Sequence, residues 1–412
     1  MNRYPLVENK TGKVLFGLFL FVMLYITRNS MASVVILGIN RAQFVSLGLM
    51  CVLGLVFLAV NRKQWKQILL DKRMGILLVS TVVLIAPMLL KRDWQLMYFS
   101  VLLCLYFAVF LTYFISVQDV AKYYVVFLSI IGVYSIVATY LLRLLPDHGL
   151  LQVPVVYNSR EIDFYNFGLA YVSGIYVRNR NFGIFREPGV HQYFILLALF
   201  LNNYTVVWKK QRTMWIYNVI LAAAMLSTFA TGGVAEMGLL AIVVFFDKKL
   251  YKDKRAVIIV LVLILIMAIG LGVIIMQKGT LYWELYGMVV SKLFQGEASS
   301  TERVDAILID LDFFLKHPIL GGKLADVLYS VENNTTSTML MFAIFGILGG
   351  VLHTLSWAAL VWEKDKKLWT KLVLLLILFM SFNTQNLIAD LFFWLFPMMA
   401  LTEKCLNLKK KE

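Results

Sequence analysis

Charge is scarce in this chain of 412 residues. Asp, Glu, Lys and Arg together make up 15%, against 60% apolar residues, and the mean hydropathy is +0.78. A soluble domain of this length cannot cover such a surface with so few charges. Cysteine is nearly absent too: Cys51, Cys104 and Cys405 lie within apolar blocks or near the C-terminus, so no disulfide framework is implied. The four histidines are scattered and no Cys/His cluster exists, which leaves no transition-metal site. No phosphate-binding glycine loop of the P-loop or dinucleotide type is present, so neither ATP nor NAD use follows, and no cofactor is expected.

What fills the chain instead is a succession of apolar blocks near 20 residues long. Each can cross about 30 Å of hydrocarbon. They predict an all-α polytopic membrane protein, a single transmembrane domain over 1–412, with about twelve spans. These lie near 13–30, 42–60, 74–90, 95–115, 122–144, 188–207, 214–230, 232–247, 256–276, 337–361, 370–386 and 387–403. The first block lacks a small-x-small cleavage site and reads as a retained helix rather than a leader.

The net charge of +15 is explained by where the cations sit. With a cytoplasmic N-terminus, the inner segments include "NRKQWKQILLDKR", "DKKLYKDKR" and the tail "NLKKKE", and 25 of the 39 Lys and Arg fall inside. The positive-inside rule therefore predicts N-in, C-in, with membrane lipid rather than nucleic acid as the partner of the charge. Two connections are then long and extracytoplasmic, 145–187 and 277–336, and long loops in a compact protein tend to be functional.

The first long loop ends in "YVRNRNFGIFREPGVHQYFILLALFL", residues 176–201. The outer cations are mainly arginines: Arg143, Arg160, Arg178, Arg180, Arg186 and Arg303. A guanidinium offers a planar fork for phosphate or carboxylate. Pairing with Glu161, Asp163 and Glu187, or with lipid headgroups, is the structural alternative. In the second loop, "TERVDAILIDLDFFLKHPILGG" places Val304, Ile307, Leu308, Leu311 and Phe314 at helical spacing, with Thr301 as N-cap and Pro318 closing the helix. This predicts an amphipathic helix at the interface whose polar side carries Arg303, Asp305, Asp310 and Asp312. "LYWELYGMVVSKLF" is expected to form a second one. A divalent cation on these aspartates is conceivable, but their spacing specifies none. Glu236, Asn383, Gln385, Asn386 and Asp390 stand at membrane depth or near it, where polar groups pair or line a cavity.

Two stretches, "RNFGIFREPGVHQYFILLALFL" and "ERVDAILIDLDFFLKHPILGG…ENNTTSTMLMFAIFGILGG", resemble the O-antigen ligase and polysaccharide-polymerase superfamily. The matching pieces are Arg180 to Pro188, Arg303 to Gly321, and Asn333/Asn334 before Gly346-Ile-Leu-Gly349. The resemblance implies a GT-C-like membrane glycosyltransferase, inverting, acting on the outer face of a bacterial cell membrane. Its donor and acceptor would be oligosaccharides on undecaprenyl diphosphate, with a chain-length regulator and a flippase as further partners. Ligases of the group carry a histidine before the "GI(x)G" helix, and this chain reads "VENNTTST" there. They also carry an arginine near the seventh-to-eighth span turn, where "TFATGGVAE" stands. Both departures favour a repeat-unit polymerase over a ligase; a flippase for the same lipid-linked glycan is the alternative outside enzymes.

Under that resemblance Glu187, His191 and Arg186 are the expected catalytic residues. Arg160, Arg178, Arg180, Arg303, His317, Asn333 and Asn334 are expected to bind substrate. Glu187 and His191 are four residues apart and share a face if a helix starts at Pro188. Base catalysis by either competes with a salt bridge from Glu187 to Arg186 or Arg180, and with burial or glycan stacking of His191. His317 equally reads as a helix C-terminal residue.

Overall fold

The computed structural model describes residues 10–60, 71–144, 151–157, 160–173, 180–254, 257–258, 276, 279, 298–330, 334–362 and 366–406. Its α-helices are α1 (Lys10–Tyr25), α2 (Ile39–Val60), α3 (Lys72–Lys91), α4 (Leu96–Leu111), α5 (Val117–Tyr140), α6 (Pro188–Tyr204) and α7 (Gln211–Ser227). They continue with α8 (Thr231–Asp247), α9 (Ala298–Lys316), α10 (Leu324–Tyr329), α11 (Thr338–Val361), α12 (Leu368–Phe382) and α13 (Leu391–Cys405). A helix occupies each expected apolar block except 256–276, most of which lies outside the described residues. Among the described residues three helices, α3, α5 and α11, are long and apolar enough to cross a membrane.

Local signals set the ends. Asp71 Oδ1 accepts from Arg73 N at the head of α3 (2.9 Å), and Ser116 Oγ accepts from Asp119 N at the head of α5 (3.1 Å). Asp390 caps α13 through Phe392 N (2.9 Å), and α6 opens on Pro188 in its first turn. Helices α6 and α13 are buried on nearly every face and form the centre, meeting through Phe194 and Phe392. The outward faces of α3 and α12 remain apolar, as Leu78, Val82, Leu372 and Leu376 show. That is an inside-and-outside apolar pattern suited to hydrocarbon.

The all-α expectation is corrected in the first long loop. Three antiparallel strands stand there, β1 (Leu151–Tyr157), β2 (Arg160–Asn166) and β3 (Tyr171–Ser173), in the order β1-β2-β3. The register sets Tyr157 opposite Arg160 and Phe164 opposite Ser173. β-Branched Val153, Val155 and Val156 favour a strand over a helix. Phe164 and Tyr171 bury a small core with Met31 and Phe182, and Tyr171 N donates to Gly183 O (2.8 Å). The sheet thus holds the segment leading into α6.

The second long loop brings two further corrections. Helix α9 starts at Ala298, so Thr301 lies inside its first turn and is not its N-cap. Its apolar residues Val304, Leu308 and Leu311 face outward, while Ala306 and Asp310 are fully buried. Hydrophobic periodicity identifies a face but not the medium it meets; here the polar partners on the segment before α11 draw Asp310 inward. The second interfacial helix, 281–294, lies outside the described residues.

Helix α11 is broken. Gly346 takes φ 65°, ψ −162° in mid-helix, a region essentially confined to glycine. The turn after α9 fills the gap: Gly322 N donates to Ala343 O and Ile347 N donates to Pro318 O, both 2.7 Å. Lys91 Nζ, from the end of α3, donates to Ile344 O (2.5 Å) and Gly322 O (2.7 Å). Asp93 Oδ2 accepts from Leu324 N (2.7 Å) and Tyr98 Oη (2.8 Å). The "HPILGG" and "GILGG" stretches, far apart in sequence, are two halves of one joint.

Candidate functional site

The head of α6 is held by backbone pairing with the α1–α2 connection. Ser30 bridges Phe185 in antiparallel fashion, Met31 N donates to Ile184 O (2.9 Å) and Arg186 N donates to Asn29 O (3.0 Å). Arg186 and Glu187 leave this ribbon side by side, Nε to Oε1 3.7 Å, with side chains 33% and 35% exposed. The separation is too long for a hydrogen bond, and Arg186 Nε has no other hydrogen-bond partner among the described residues. The two charges form a loose, half-exposed pair.

His191 lies elsewhere. It is fully buried, its ring 5.3 Å from that of Phe185, with Nδ1 3.4 Å from Asn181 O. Gly183 has φ +56°, and a Cβ there would stand 2.7 Å from the imidazole Cε1. The glycine of "NFGIF" is thus the seat of the His191 ring. The imidazole closes the packing under the loop and does not share the open face of Glu187.

Arg180 and Arg303 both approach the head of α8. Arg180 Nε donates to Thr228 O (3.1 Å) in the turn before it. Arg303, half-buried on α9, lies within electrostatic range of Glu236, a buried residue in the second turn of α8. The same helix head is keyed to α6, since Gly233 N donates to Gln192 Oε1 (3.0 Å). Gln385, from the turn before α13, reaches Gly189 so closely that a Cβ there would lie 2.8 Å from Nε2.

The remaining expected binding residues are not brought to this place. Asn334 Nδ2 donates to Asp310 Oδ1 (2.8 Å) while its Oδ1 accepts from Thr336 N (3.0 Å). Thr336 Oγ1 completes the set on Asp310. This triad anchors α9 to the segment before α11. Burial pushes the Asp310 carboxyl up to about 6, against the pull of those two hydrogen bonds. His317 is exposed at the end of α9, its N–H on Phe313 O (3.0 Å). Arg160 is placed only by its strand register opposite Tyr157, and Arg178 and Asn333 lie outside the described residues.

One charged residue escaped the sequence reading. Arg28, half-buried at the end of the α1 region, lies within electrostatic range of both Arg186 and Asp390. Its signal was an arginine near the end of the first apolar block. The chain matches no family model, no curated protein and no solved structure at a significant level.

Proposed function

We propose that the chain is an inverting polymerase of undecaprenyl-diphosphate-linked oligosaccharide repeat units. It crosses a bacterial cell membrane about twelve times, N-in and C-in, with the head of α6 on the outer face. The observation that carries this reading is the loose Arg186–Glu187 pair, fixed by the ribbon to residues 29–31. Arg180 of the same segment, and Arg28 and Arg303 from two others, lie around the heads of α6 and α8.

The chemistry fits such a pair. The acceptor hydroxyl oxygen attacks C1 of the donor sugar and the C1–O bond to the diphosphate breaks with inversion. The hydroxyl proton passes to the Glu187 carboxylate, and the leaving diphosphate carries its negative charge to Arg186, assisted by Arg180 and Arg303. A diphosphate oxygen competes with Glu187 for Arg186, so donor binding frees the base where it is needed. His191 serves as a positioning residue, seating Gly183 and so the ribbon. The prenyl chain stays in hydrocarbon while the sugars stay in water, which accounts for chemistry at the ends of helices.

The test uses purified protein in nanodiscs with its cognate undecaprenyl-diphosphate oligosaccharide and no nucleotide, products resolved by gel. A ladder spaced by one repeat unit is expected. Transfer to a different acceptor without a ladder would make the protein a ligase. Passage of the intact donor across the bilayer with neither product would make it a flippase.

A further inference from the structure

We infer that α9 is seated in the membrane itself: its stripe of Val304, Leu308, Leu311 and Leu315 lies against lipid acyl chains and marks the water–hydrocarbon boundary of the molecule. The partner is the hydrocarbon of one leaflet, and this seat is independent of the reaction assigned above.

An amphipathic helix read from sequence has two sides, whereas α9 has three. Ala306 and Asp310 are fully buried against the body, with Arg303 half-buried beside them. Val304, Leu308, Leu311 and Leu315, spaced i, i+4, i+7 and i+11, form an outward stripe, in which Leu308 is 55% and Leu315 66% exposed. Asp305, Asp312 and Lys316 form a third, charged and exposed, with Lys316 Nζ 2.6 Å from Asp312 Oδ2. A helix wholly in water gains nothing from the apolar stripe, and one sunk in hydrocarbon could not carry the charged one. A helix lying along the boundary uses both.

The apolar stripe runs on into a spanning helix. Ile319, 67% exposed, extends it into the turn, where Gly346 packs on the Ile319 carbonyl and Ile347 N donates to Pro318 O. Ile347, Leu348, Val351 and Leu355 carry the exposed apolar surface along α11, a helix long and apolar enough to cross a membrane. A medium that covers that face of α11 reaches α9 without a break.

The level is fixed by a second helix of that kind. Lys91, the last residue of α3, donates to Gly322 O, and Asp93 just beyond it accepts from Leu324 N. The end of a membrane-crossing helix stands at a boundary, and the turn after α9 is tied to it. Trp94 follows there and Tyr329 ends α10, both exposed, and these two residue types gather at membrane interfaces. Lying along that boundary, α9 holds Arg303 at the depth where lipid phosphates stand.

Nitroxide labels on Leu308→Cys, Leu315→Cys, Asp305→Cys and Asp312→Cys test this, with the full chain in nanodiscs of phosphatidylethanolamine and phosphatidylglycerol. The exposed Cys51 and Cys405 are replaced by serine, and the buried Cys104 is kept. Labels at 308 and 315 should collide more with oxygen than with a water-soluble nickel chelate. Those at 305 and 312 should show the reverse order. Chelate preference at all four positions would place α9 in water and overturn the assignment. So would immobilised spectra at 308 and 315 with both reagents excluded, because a second copy or another polypeptide would then cover the stripe. In the unmutated protein, a phospholipid with a diazirine on its acyl chain should label the tryptic peptide 304–316. Labelling confined to the spanning helices would remove α9 from the hydrocarbon. A repeat-unit ladder from a protein whose α9 stands in water would sink this inference and spare the polymerase. Lipid contact at 308 and 315 without any ladder would do the reverse.

Discussion

Gly346 packs face to face with the carbonyl of Ile319, so that a single added Cβ would overlap the oxygen. Gly321, with φ +71°, meets Ile344 in the same way from the other side of the joint. Alanine at either position combines an unfavourable backbone region with overpacking against main chain that has no rotamer to yield. Gly346→Ala and Gly321→Ala are each expected to cost about 2–5 kcal/mol. Gly54 on α2 has nothing within 4 Å of its would-be Cβ, and Gly54→Ala should be neutral or slightly stabilising. Thermal unfolding of the three variants in one detergent separates these outcomes.

Lys91 supplies the charged donor of the joint, satisfying Ile344 O and Gly322 O at once. Lys91→Met keeps the length and removes the bonds, leaving carbonyls of a broken helix without a partner. A loss of about 2–4 kcal/mol is expected. Limited proteolysis between residues 316 and 324 should accelerate in this variant and not in Lys323→Met, whose side chain is exposed.

Asp310 makes the docking of α9 sensitive to pH. Its folded-state carboxyl titrates near 6, above the ordinary value near 4. Between those values the folded protein holds a proton that the unfolded chain has released. The contribution is therefore fully present below about pH 4 and is lost as pH rises through 6, a swing of about 3 kcal/mol. The apparent unfolding temperature of the parent relative to Asp310→Asn should fall over that window and level off above it. A parallel pair of curves would show that Asp310 is not the titrating group.

Much of the helical layout was legible because apolar blocks of span length have few other readings. The sheet at 151–173 was missed although its signal was present: Val153, Val155 and Val156 precede the alternation of Ile162 and Phe164 with polar neighbours. The repeat of Val304, Leu308 and Leu311 marks an amphipathic helix but not which side of it is covered, and only the positions of Asn334 and Thr336 decide that Asp310 points inward. The pairing of "HPILGG" with "GILGG" could not be deduced from spacing, since it depends on a backbone break at Gly346. Arg28 was passed over for a similar reason. An arginine ending an apolar block looks like a boundary mark until Ser30 is seen against Phe185.

At the head of α6, Glu187→Gln and Arg186→Lys test different halves of the proposed chemistry. Each is expected to lower the turnover rate by about 10²–10³-fold. Glu187→Gln should flatten the acidic limb of the pH–rate profile, whereas Arg186→Lys should keep it. His191→Gln, by contrast, should lower thermal stability and leave that limb in place, because the imidazole is enclosed against Gly183. A lost limb in His191→Gln with normal stability would transfer the role of base from Glu187 to the histidine.

The bond between Thr27 and Asp390 spans 363 residues of sequence. Nearly the whole polypeptide must leave the ribosome before the first hairpin finds its permanent neighbour. The last hairpin to be inserted is thus the one that seals the oldest part of the chain, and the ribbon under Arg186 gains its final support only then. A biogenesis intermediate arrested before Asp390 would carry Arg186 and Glu187 and still lack the wall their ribbon leans on.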